Sequence, residues 1–346
     1  MRRIGIIGGG AWGTALALIA RRAGRDVVLW ARNDEVVEAI NRDHANPRYL
    51  PGVALDPAIS ATRDLAEAVA ADALMLVVPA QRMRALATAL APHLAARPPL
   101  VVCSKGIEIA TGALMTEVLG AALPGCPLAV LSGQTFADEV ARGLPAAVTL
   151  ACADAALGAR LVAALGGGAF RPYLADDLPG AQIGGAVKNV LAIACGIVDG
   201  RRLGENARAA LVTRGLAELL RLGRARGARG ETLMGLSGLG DLVLTCTSRR
   251  SRNMSLGAAL GEGASVAEIL KGRRAVTEGV ASAPAVILLA DRLGVEMPIC
   301  RAVEAILAGR VTIDAAIEGL LARPFKAEVA DAPLAAAQEP RDDDDA

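Results

Sequence analysis

Up to about residue 175, apolar residues fall into short runs separated by segments with helical periodicity. Several of the runs are apolar at every position, which is typical of a parallel sheet covered on both faces. Their alternation with helical segments predicts a doubly wound α/β fold. The predicted strands are Arg3–Ile7, Asp26–Trp30, Ala73–Val78, Leu100–Cys103, Leu128–Leu131, Ala146–Ala151 and Phe170–Leu174, and the predicted helices include Trp12–Ala23, Glu35–Arg42, Met83–Leu94, Gly112–Ala122 and Ala155–Leu165.

The pattern changes near Asp176, and from Leu178 onward the apolar period is helical. We therefore predict a sheet domain over 1–178, a mostly α-helical domain over 179–325 and a flexible acidic tail over 326–346. One face of a long helix would carry Ile183, Val187, Val190, Leu191, Ala194, Ile197 and Val198, and further helices are predicted at Asn206–Ala225, Ser265–Lys271, Ala283–Leu293 and Ile299–Leu307.

Composition narrows the class of protein. The 346 residues are 53% hydrophobic, but much of that share is alanine, and no run approaches the roughly 18 uninterrupted apolar residues of a membrane span. The net charge of +1 recommends neither nucleic acid nor an anionic membrane surface as a partner. Six scattered cysteines without a C-x-x-C pair indicate buried thiols in a reducing cytoplasm and no metal site.

Histidine and lysine are scarce, which limits the candidates for acid–base chemistry. There are two histidines, neither in the C-terminal half, and four lysines among 37 basic residues. A desolvated lysine can titrate near neutrality, whereas arginine stays charged. Lys105 and Lys188 lie among apolar and small residues, while Lys271 and Lys326 lie in charged surroundings typical of a solvated surface.

A G-x-G-x-x-G motif formed by Gly8, Gly10 and Gly13 joins the first predicted strand to the first helix. In this position the glycines permit a tight turn, close approach of backbone to a pyrophosphate, and packing of the helix on the strand. The helix N-terminus offers free N–H groups and a positive dipole end to phosphates. The motif predicts a Rossmann-type dinucleotide site, although glycines in an Ala/Gly-rich chain can also serve packing alone.

The second strand ends in Ala31-Arg32-Asn33, about 20 residues past the glycine turn. An NAD-selective site places an acid there for the ribose 2′-OH, whereas a guanidinium suits the 2′-phosphate of NADP. Arg32 therefore favours NADP, and the alternative is a surface arginine at a strand end. Asp34 and Glu35 follow closely and keep NAD open.

Two further segments follow buried strands, at the sheet edge where ligands of open α/β sheets bind. Lys105 is a candidate to hold a substrate anion, and Gly133 and Thr135 offer an N–H and a hydroxyl. The alternative for each segment is turn chemistry or helix capping.

Lys188 lies on the long helix next to Gly184 and Gly185. Two glycines in one helical turn need a reason, which is either close packing or a cleft facing a cofactor. A buried lysine beside a carbonyl can donate its proton as hydride arrives. Asp241, in a glycine-rich turn, either serves a helix N-terminus or faces Lys188 and orients its ammonium.

A cluster of three arginines and three hydroxyls spans 247–253 and precedes another helix. Ser251 is a plausible N-cap, so that the helix N-terminus, Arg252 and Asn253 would converge on one anion of phosphate size. The alternative is a solvated basic patch.

Taken together, the motifs resemble those of the bacterial NAD(P)-dependent glycerol-3-phosphate dehydrogenases. The resemblance runs from Ile4 to about Arg310, with one departure at Gln134, where the family usually has proline. The matching segments are Gly8–Ala17, Tyr49–Pro51, Ser104–Gly106, Ser132–Ala137, Gly185–Asn189, Ala209–Gly215, Gly238–Leu242, Thr245–Ser248, Ser251–Asn253 and Glu278–Gly279.

The resemblance implies reduction of dihydroxyacetone phosphate to sn-glycerol 3-phosphate for phospholipid synthesis, with NADP or NAD as cofactor, in a cytoplasmic homodimer. It implies Lys188 as the catalytic proton donor, with Asp241 beside it. The implied substrate contacts are Lys105, Gly133, Thr135, Lys188, Asp241, Ser251, Arg252 and Asn253. The implied cofactor contacts, with the glycine turn, are Gly8, Gly10, Ala11, Trp12, Gly13, Arg32, Asn33, Tyr49, Lys105, Ala137, Arg252, Val276 and Glu278.

Two alternatives remain open from the residues themselves. One is a related dehydrogenase of another small anionic hydroxy acid, because an arginine cluster does not by itself identify phosphate. The other is a dinucleotide-binding sensor without chemistry, since a fold does not fix a function.

Overall fold

A computed structural model describes residues 1–271 and 276–325 of the chain. All seven predicted strands are present, and three short ones, β3 to β5, were not predicted. The strands are β1 (Arg3–Ile7), β2 (Asp26–Trp30), β3 (Ala45–Asn46), β4 (Leu50–Ala54), β5 (Ile59–Thr62), β6 (Ala73–Leu76), β7 (Leu100–Val102), β8 (Leu128–Ser132), β9 (Ala146–Cys152) and β10 (Phe170–Ala175).

The helices reproduce every predicted helical segment and add several short ones. Two 3₁₀ turns, Ala80–Arg82 and Ala91–His93, flank α4, and a π-helical segment, Leu236–Gly240, precedes α11. The helices are α1 (Ala11–Arg22), α2 (Asp34–Asp43), α3 (Leu65–Val69), α4 (Met83–Leu90), α5 (Met115–Ala122), α6 (Ala137–Ala141), α7 (Ala155–Leu165), α8 (Leu178–Gly200), α9 (Glu205–Ala225), α10 (Gly230–Leu233), α11 (Asp241–Cys246), α12 (Arg252–Gly261), α13 (Val266–Lys271), α14 (Glu278–Arg292), α15 (Pro298–Leu307) and α16 (Ile313–Leu321).

Eight strands form one sheet in the order β10-β9-β8-β7-β6-β1-β2-β5, and β3 and β4 form a separate hairpin. The six neighbouring strands β8-β7-β6-β1-β2-β5 are all parallel, and their order is that of a dinucleotide-binding fold. Ile6 packs in the apolar core on one face of the sheet and Ile7 in the core on the other. Helices therefore cover both faces, as the continuous apolar runs predict.

The expectation of a parallel sheet is wrong for its last two strands. β9 runs antiparallel to β8, with Ala129 opposite Cys152, and β10 is parallel to β9. The connection between β8 and β9 contains only α6, a helix of five residues. Such a helix is about 7.5 Å long and cannot return the chain along a strand of about 16 Å, so the chain reverses instead of crossing over.

α8 is the central helix of the second part of the chain. The sequence predicts one apolar face, but the structure buries every residue from Gly180 to Val198. α9, α11, α12, α14 and α15 surround it and share its apolar core. Its 18-residue apolar window has the hydropathy of a membrane span and is entirely buried within the protein, as expected of a core helix.

α8 and α12 cross at glycines, which lets their backbones touch. A Cβ on Gly196 would lie 2.1 Å from the carbonyl oxygen of Met254, and one on Gly257 would lie 2.0 Å from that of Ile193. Neither position therefore accepts a side chain without moving a helix. This contact fixes where the N-terminus of α12 lies along α8.

The predicted domain boundary at residue 178 falls at the first residue of α8, just after the two-residue link from β10, and the division into domains stays a prediction. All six cysteines are free, as expected, and five of them are buried. Lys271 is exposed at the end of α13, as expected. Lys326 and the predicted acidic tail over 326–346 lie outside the described residues.

Candidate active site

The glycine turn has the geometry that a dinucleotide requires. Gly8 has a φ of +135°, and a Cβ there would lie 2.5 Å from the carbonyl oxygen of Val77. A Cβ on Gly13 would lie 1.8 Å from the carbonyl oxygen of Gly8, so this glycine lets α1 pack on the turn. A Cβ on Gly10 would meet nothing within 4 Å. Open space thus lies above the middle glycine, where a pyrophosphate would approach.

The N-terminus of α1 is free to receive an anion. Gly10 is its N-cap and provides no side chain, and Ala11 and Trp12 in its first turn are half-buried. The side-chain amide of Asn46 braces the turn by donating to the carbonyl oxygen of Gly9 at 3.0 Å and to Thr14 Oγ1 at 2.8 Å. These residues fit the phosphates of a dinucleotide, held by backbone N–H groups and the helix dipole.

The end of β2 presents Arg32 and Asn33 in different ways. Arg32 is exposed directly after the strand. Asn33 caps α2, because its side-chain oxygen accepts a hydrogen bond from the N–H of Val36 at 3.1 Å. Of the two, the arginine is the one whose side chain is exposed at the surface.

The acids that follow Arg32 are neutralised by other arginines. Asp34 receives two hydrogen bonds from Arg63, at 2.6 and 2.8 Å, and Glu35 pairs with Arg48 at 3.2 Å. All four side chains are at least 40% exposed, so these pairs contribute little to stability. In these contacts the carboxylates of Asp34 and Glu35 are therefore paired with Arg63 and Arg48 and not with Arg32.

Two lysines converge on one buried carboxylate. Lys188 Nζ, on α8, donates to Asp241 Oδ1 at 2.7 Å and to Thr245 Oγ1 at 2.7 Å. Lys105 Nζ, after β7, donates to Asp241 Oδ2 at 2.6 Å and to the carbonyl oxygen of Gly133 at 2.6 Å. Of the two functions open to Asp241 from the sequence, the structure shows the one in which it faces Lys188.

Burial and neighbouring charges set the protonation of this group. Burial lowers the pKa of Lys188 to about 8, against the opposing effect of Asp241, while the charge of Lys105 lowers it further. Burial alone would raise the pKa of the Asp241 carboxyl, but the two ammonium groups outweigh it and hold that pKa below its usual value. The carboxylate is therefore ionised, and the lysine can exchange a proton near neutral pH.

The local sequence explains how these side chains meet. Thr245 lies four residues after Asp241 on α11, so both side chains share one helix face. A Cβ on Gly184 would lie 2.3 Å from the carbonyl oxygen of Ser237, so this glycine admits the π-helical segment that leads to Asp241. A Cβ on Gly185 would lie 3.1 Å from Lys105 Cγ. The first glycine thus serves packing and the second faces Lys105.

An asparagine relay, meaning the hydrogen-bonded pair Asn189 and Asn253, joins the lysine site to α12 and α14. Asn189 Nδ2 donates to the carbonyl oxygens of Gly185 at 3.1 Å and Lys105 at 3.4 Å. Asn189 Oδ1 accepts a hydrogen bond from Asn253 Nδ2 at 2.8 Å, and Asn253 Oδ1 accepts one from the N–H of Gly279 at 2.9 Å. Asn253 is therefore engaged in holding three helices together.

The N-terminus of α12 lies beside this relay. Ser251 caps it as predicted, its hydroxyl accepting a hydrogen bond from the N–H of Met254 at 3.3 Å. Arg252 follows with its side chain exposed, and partial loss of water around the guanidinium lowers its pKa against the attraction of Glu278. A helix N-terminus and an arginine at one place are suited to a phosphate.

The other two arginines of the cluster point elsewhere. Arg249 pairs with Asp199 at 2.6 Å and with Glu262 at 3.0 Å. Arg250 pairs with Asp138 at 2.7 Å and with Glu139. For these two residues the alternative of a solvated basic patch is correct, because both are about half-exposed in surface ion pairs.

Glu278 begins α14 and is half-buried. Burial raises the pKa of Glu278 to about 7, although the N–H of Ala80 and the charge of Arg252 act in the opposite direction. Val276, just before it, is 49% exposed. The remaining residues expected at the site are half-buried: Tyr49 in the turn between β3 and β4, Thr135 in the loop after β8, and Ala137 at the start of α6.

Sequence reasoning assigned no function to Thr245, Asn189 or Asn46, although all three hold the site together. The spacing of four residues between Asp241 and Thr245 was the available signal for one of them. Asn46 and Asn189 act through contacts that are remote in sequence and left no local pattern. Within the residues that the structure describes, no group of three or more His, Cys, Asp or Glu side chains is placed to hold a metal ion.

Comparison with known proteins gives consistent matches over nearly the whole chain. The profile of the N-terminal part of NAD-dependent glycerol-3-phosphate dehydrogenase matches residues 3–158, and that of its C-terminal part matches residues 177–318. A glycerol-3-phosphate dehydrogenase (NAD(P)+) of Rhodospirillum rubrum is 60% identical over 94% of this chain and 93% of its own. One of Caulobacter vibrioides is 60% identical over 94% and 98%.

Solved structures agree with these matches. The crystal structure of glycerol-3-phosphate dehydrogenase from Coxiella burnetii is similar with a TM-score of 0.90 and 40% identity, over 93% of this chain and 99% of that one. A yeast glycerol-3-phosphate dehydrogenase is similar with a TM-score of 0.79 and 27% identity, over 92% and 98%. The sheet, the helical second part and their connection are thus shared with these enzymes.

Proposed function

Because the chain belongs to the NAD-dependent glycerol-3-phosphate dehydrogenase family, we propose that Lys188 is the general acid and base of its reaction. The enzyme reduces dihydroxyacetone phosphate to sn-glycerol 3-phosphate with a nicotinamide dinucleotide. The observation that carries the proposal is a buried lysine whose pKa is lowered to about 8 and whose ammonium faces Asp241 and Thr245.

The proposed chemistry is the movement of one proton. The nicotinamide, when bound, supplies the hydride. Lys188 Nζ donates a proton to the carbonyl oxygen of the ketone as negative charge develops there, and takes it back in the reverse direction. Asp241 and Thr245 hold that nitrogen in place by accepting its other hydrogen bonds. Lys105, on the far oxygen of Asp241, adds positive charge beside the developing alkoxide.

The phosphate end of the substrate is proposed to lie at the start of α12, against Ser251, Arg252 and Asn253. The N–H groups of the first turn of α12 and the Arg252 guanidinium together attract an anion there. Binding at this remote end positions the carbonyl at Lys188 and lowers the entropic cost of the reaction. Gly133 and Thr135 are proposed to complete the contacts to the substrate.

The nucleotide is proposed to run from the glycine turn toward Glu278. Its pyrophosphate would lie over Gly10 and the start of α1, and its adenosine ribose near Arg32. The chemistry of the Arg32 guanidinium supports acceptance of a 2′-phosphate, so that NADPH and NADH are both candidates. The further residues proposed to contact it are Ala11, Trp12, Asn33, Tyr49, Lys105, Ala137, Arg252, Val276 and Glu278.

The absorbance of the reduced cofactor tests this function. Adding dihydroxyacetone phosphate to enzyme with NADPH or NADH should consume the cofactor and yield glycerol 3-phosphate in equal amount. A hydroxy-acid dehydrogenase would instead respond to an unphosphorylated keto acid, and a sensor would bind the cofactor without consuming it. Either of the last two results would contradict the proposal.

We also propose that the protein acts as a homodimer in the cytoplasm, without insertion into a membrane. Support for an interface comes from large apolar side chains exposed on the helical part, among them Leu203, Met234 and Val243. Support against insertion comes from the burial of the 18-residue apolar window of α8 inside the protein. Light scattering after gel filtration should give about twice the monomer mass, and cell fractionation should leave the protein outside the membrane pellet.

A further inference from the structure

Gln134 lies between Gly133 and Thr135, in the loop that follows β8. Its side chain ends in an amide, which can donate and accept hydrogen bonds. Its neighbour Gly133 already accepts a hydrogen bond from Lys105 Nζ at 2.6 Å. The amide of Gln134 therefore lies at the edge of the lysine site.

The side chain of Gln134 rests against Gly240, the residue before Asp241. Its Oε1 lies 2.6 Å, and its Nε2 3.4 Å, from the point where a Cβ on Gly240 would lie. Among the described residues, Gln134 Oε1 is fully buried and has no hydrogen-bond partner, whereas Nε2 is not buried in this way. The side chain as a whole is half-buried. The atom that the amide leaves accessible is its nitrogen, a hydrogen-bond donor.

The order of contacts along α8 indicates which part of the substrate this donor meets. Gly184 touches the π-helical segment that ends at Gly240, and Asn189 is bonded to Asn253 at the start of α12. These two points are about 7.5 Å apart along the helix axis, and Lys188 lies between them. With the ketone at Lys188 and the phosphate at α12, the remaining hydroxymethyl group extends toward Gly240 and Gln134.

We propose that Gln134 is a specificity-determining residue that recognises the hydroxymethyl end of the ketone, its Nε2 donating a hydrogen bond to that hydroxyl oxygen. The inference rests on the proposed placement of the ketone at Lys188 and the phosphate at α12. An uncharged amide is suited to an uncharged hydroxyl, and a lost partner for such a group weakens binding selectively.

The test compares dihydroxyacetone phosphate with acetol phosphate, the same ketone with its free hydroxyl replaced by hydrogen. The ratio of the two kcat/KM values is measured for the wild type and for Gln134→Met, which keeps the length of the side chain without its hydrogen-bonding atoms. We expect the ratio to fall about fivefold in the variant, the size of one hydrogen bond, with acetol phosphate turned over as before. An unchanged ratio, which includes an equal loss for both substrates, would overturn the proposal.

Gly240→Ala provides an independent variant. Gly240 has φ −60° and ψ −48°, which alanine adopts readily, and the added methyl displaces the Gln134 amide. We expect the ratio to fall in this variant and to fall no further when it is combined with Gln134→Met. Full additivity of the two changes would show that Gly240 does not act through Gln134. Absence of any turnover by the wild type would instead refute the proposed function.

Discussion

Lys188 and Asp241 are 53 residues apart in sequence, and their nitrogen and oxygen atoms meet at 2.7 Å in the interior of the protein. Asp241 is 1% exposed and Lys188 7%. A buried ion pair is weak evidence for stability, because removing two charges from water costs about as much as their attraction returns. For the proposed function its value is chemical, since it would keep an ammonium where the ketone could take its proton.

Replacing Lys188 with alanine should abolish the proton donor and leave the nucleotide site intact. We expect kcat to fall about 10²- to 10⁴-fold, the usual range for a positioned acid or base. The change in the Kd for NADPH should be orders of magnitude smaller than the change in kcat. Stopped-flow absorbance and fluorescence titration measure the two. Lys271→Ala, at an exposed lysine, is the matched control and should behave as wild type. Near-normal turnover by Lys188→Ala would rule out its assigned function.

The pH dependence of the two reaction directions should be opposite. Reduction needs protonated Lys188, whose pKa is lowered to about 8, so kcat/KM for the ketone should decline tenfold per pH unit above that value. Oxidation needs the neutral amine and should decline below it. Initial rates from pH 6 to pH 10 in both directions provide the measurement. A single flat profile in both directions would contradict proton transfer by this lysine.

Asp241 should control the pH at which the reduction rate begins to decline, the alkaline limb of its pH profile. Its negative charge raises the pKa of Lys188, so Asp241→Asn should move the alkaline limb of the reduction profile to lower pH. Glu262→Gln, which removes an exposed carboxylate paired with Arg249, should leave the limb in place because surface charges are screened. A limb that does not move in Asp241→Asn would mean that another group titrates.

With the cofactor at saturating concentration, Arg252 should matter for phosphorylated substrates only. We expect Arg252→Ala to lower kcat/KM for dihydroxyacetone phosphate about 10- to 100-fold, as for loss of a charge-assisted hydrogen bond. The slow reduction of unphosphorylated dihydroxyacetone should change little. Arg249→Ala removes a nearby arginine held in surface pairs and serves as the control. Equal losses for the two substrates would refute phosphate recognition by Arg252.

Two glycine substitutions should separate cofactor binding from folding. A methyl on Gly10 enters open space, so Gly10→Ala should keep the melting temperature while weakening NADPH binding about tenfold through steric overlap. A methyl on Gly13 would lie 1.8 Å from a carbonyl oxygen, so Gly13→Ala should lower the melting temperature or prevent folding. Thermal denaturation and NADPH titration check both. Normal affinity in Gly10→Ala would place the pyrophosphate elsewhere.

Features written in local sequence were predictable. β1, the glycine turn and α1 follow from one motif, and the Ser251 cap of α12 follows from a hydroxyl placed before a helical run. Two of the three arginines near that cap could not be assigned from sequence, because their acidic partners are distant in the chain. For the same reason the meeting of Lys188 with Asp241 was only one of two alternatives.

Features that depend on direction or enclosure were not predictable. The reversal of β9 depends on the length of a connection whose short helix left no strong periodicity. The burial of α8 on all sides depends on five other helices, whereas an apolar stripe reports only one face. The π-helical segment before Asp241 arises from glycines that periodicity alone assigns to a turn.

The crossing of α8 and α12 at glycines fixes the distance between Lys188 and the N-terminus of α12, because neither Gly196 nor Gly257 leaves room for the helices to slide. The two ends of a substrate bound as proposed must therefore match that distance. On the proposed placement, a ketose phosphate with one more carbon between carbonyl and phosphate would reach the N-terminus of α12 or Lys188, but not both. Selection by length would then be set by the packing of the two helices, at residues outside the proposed site.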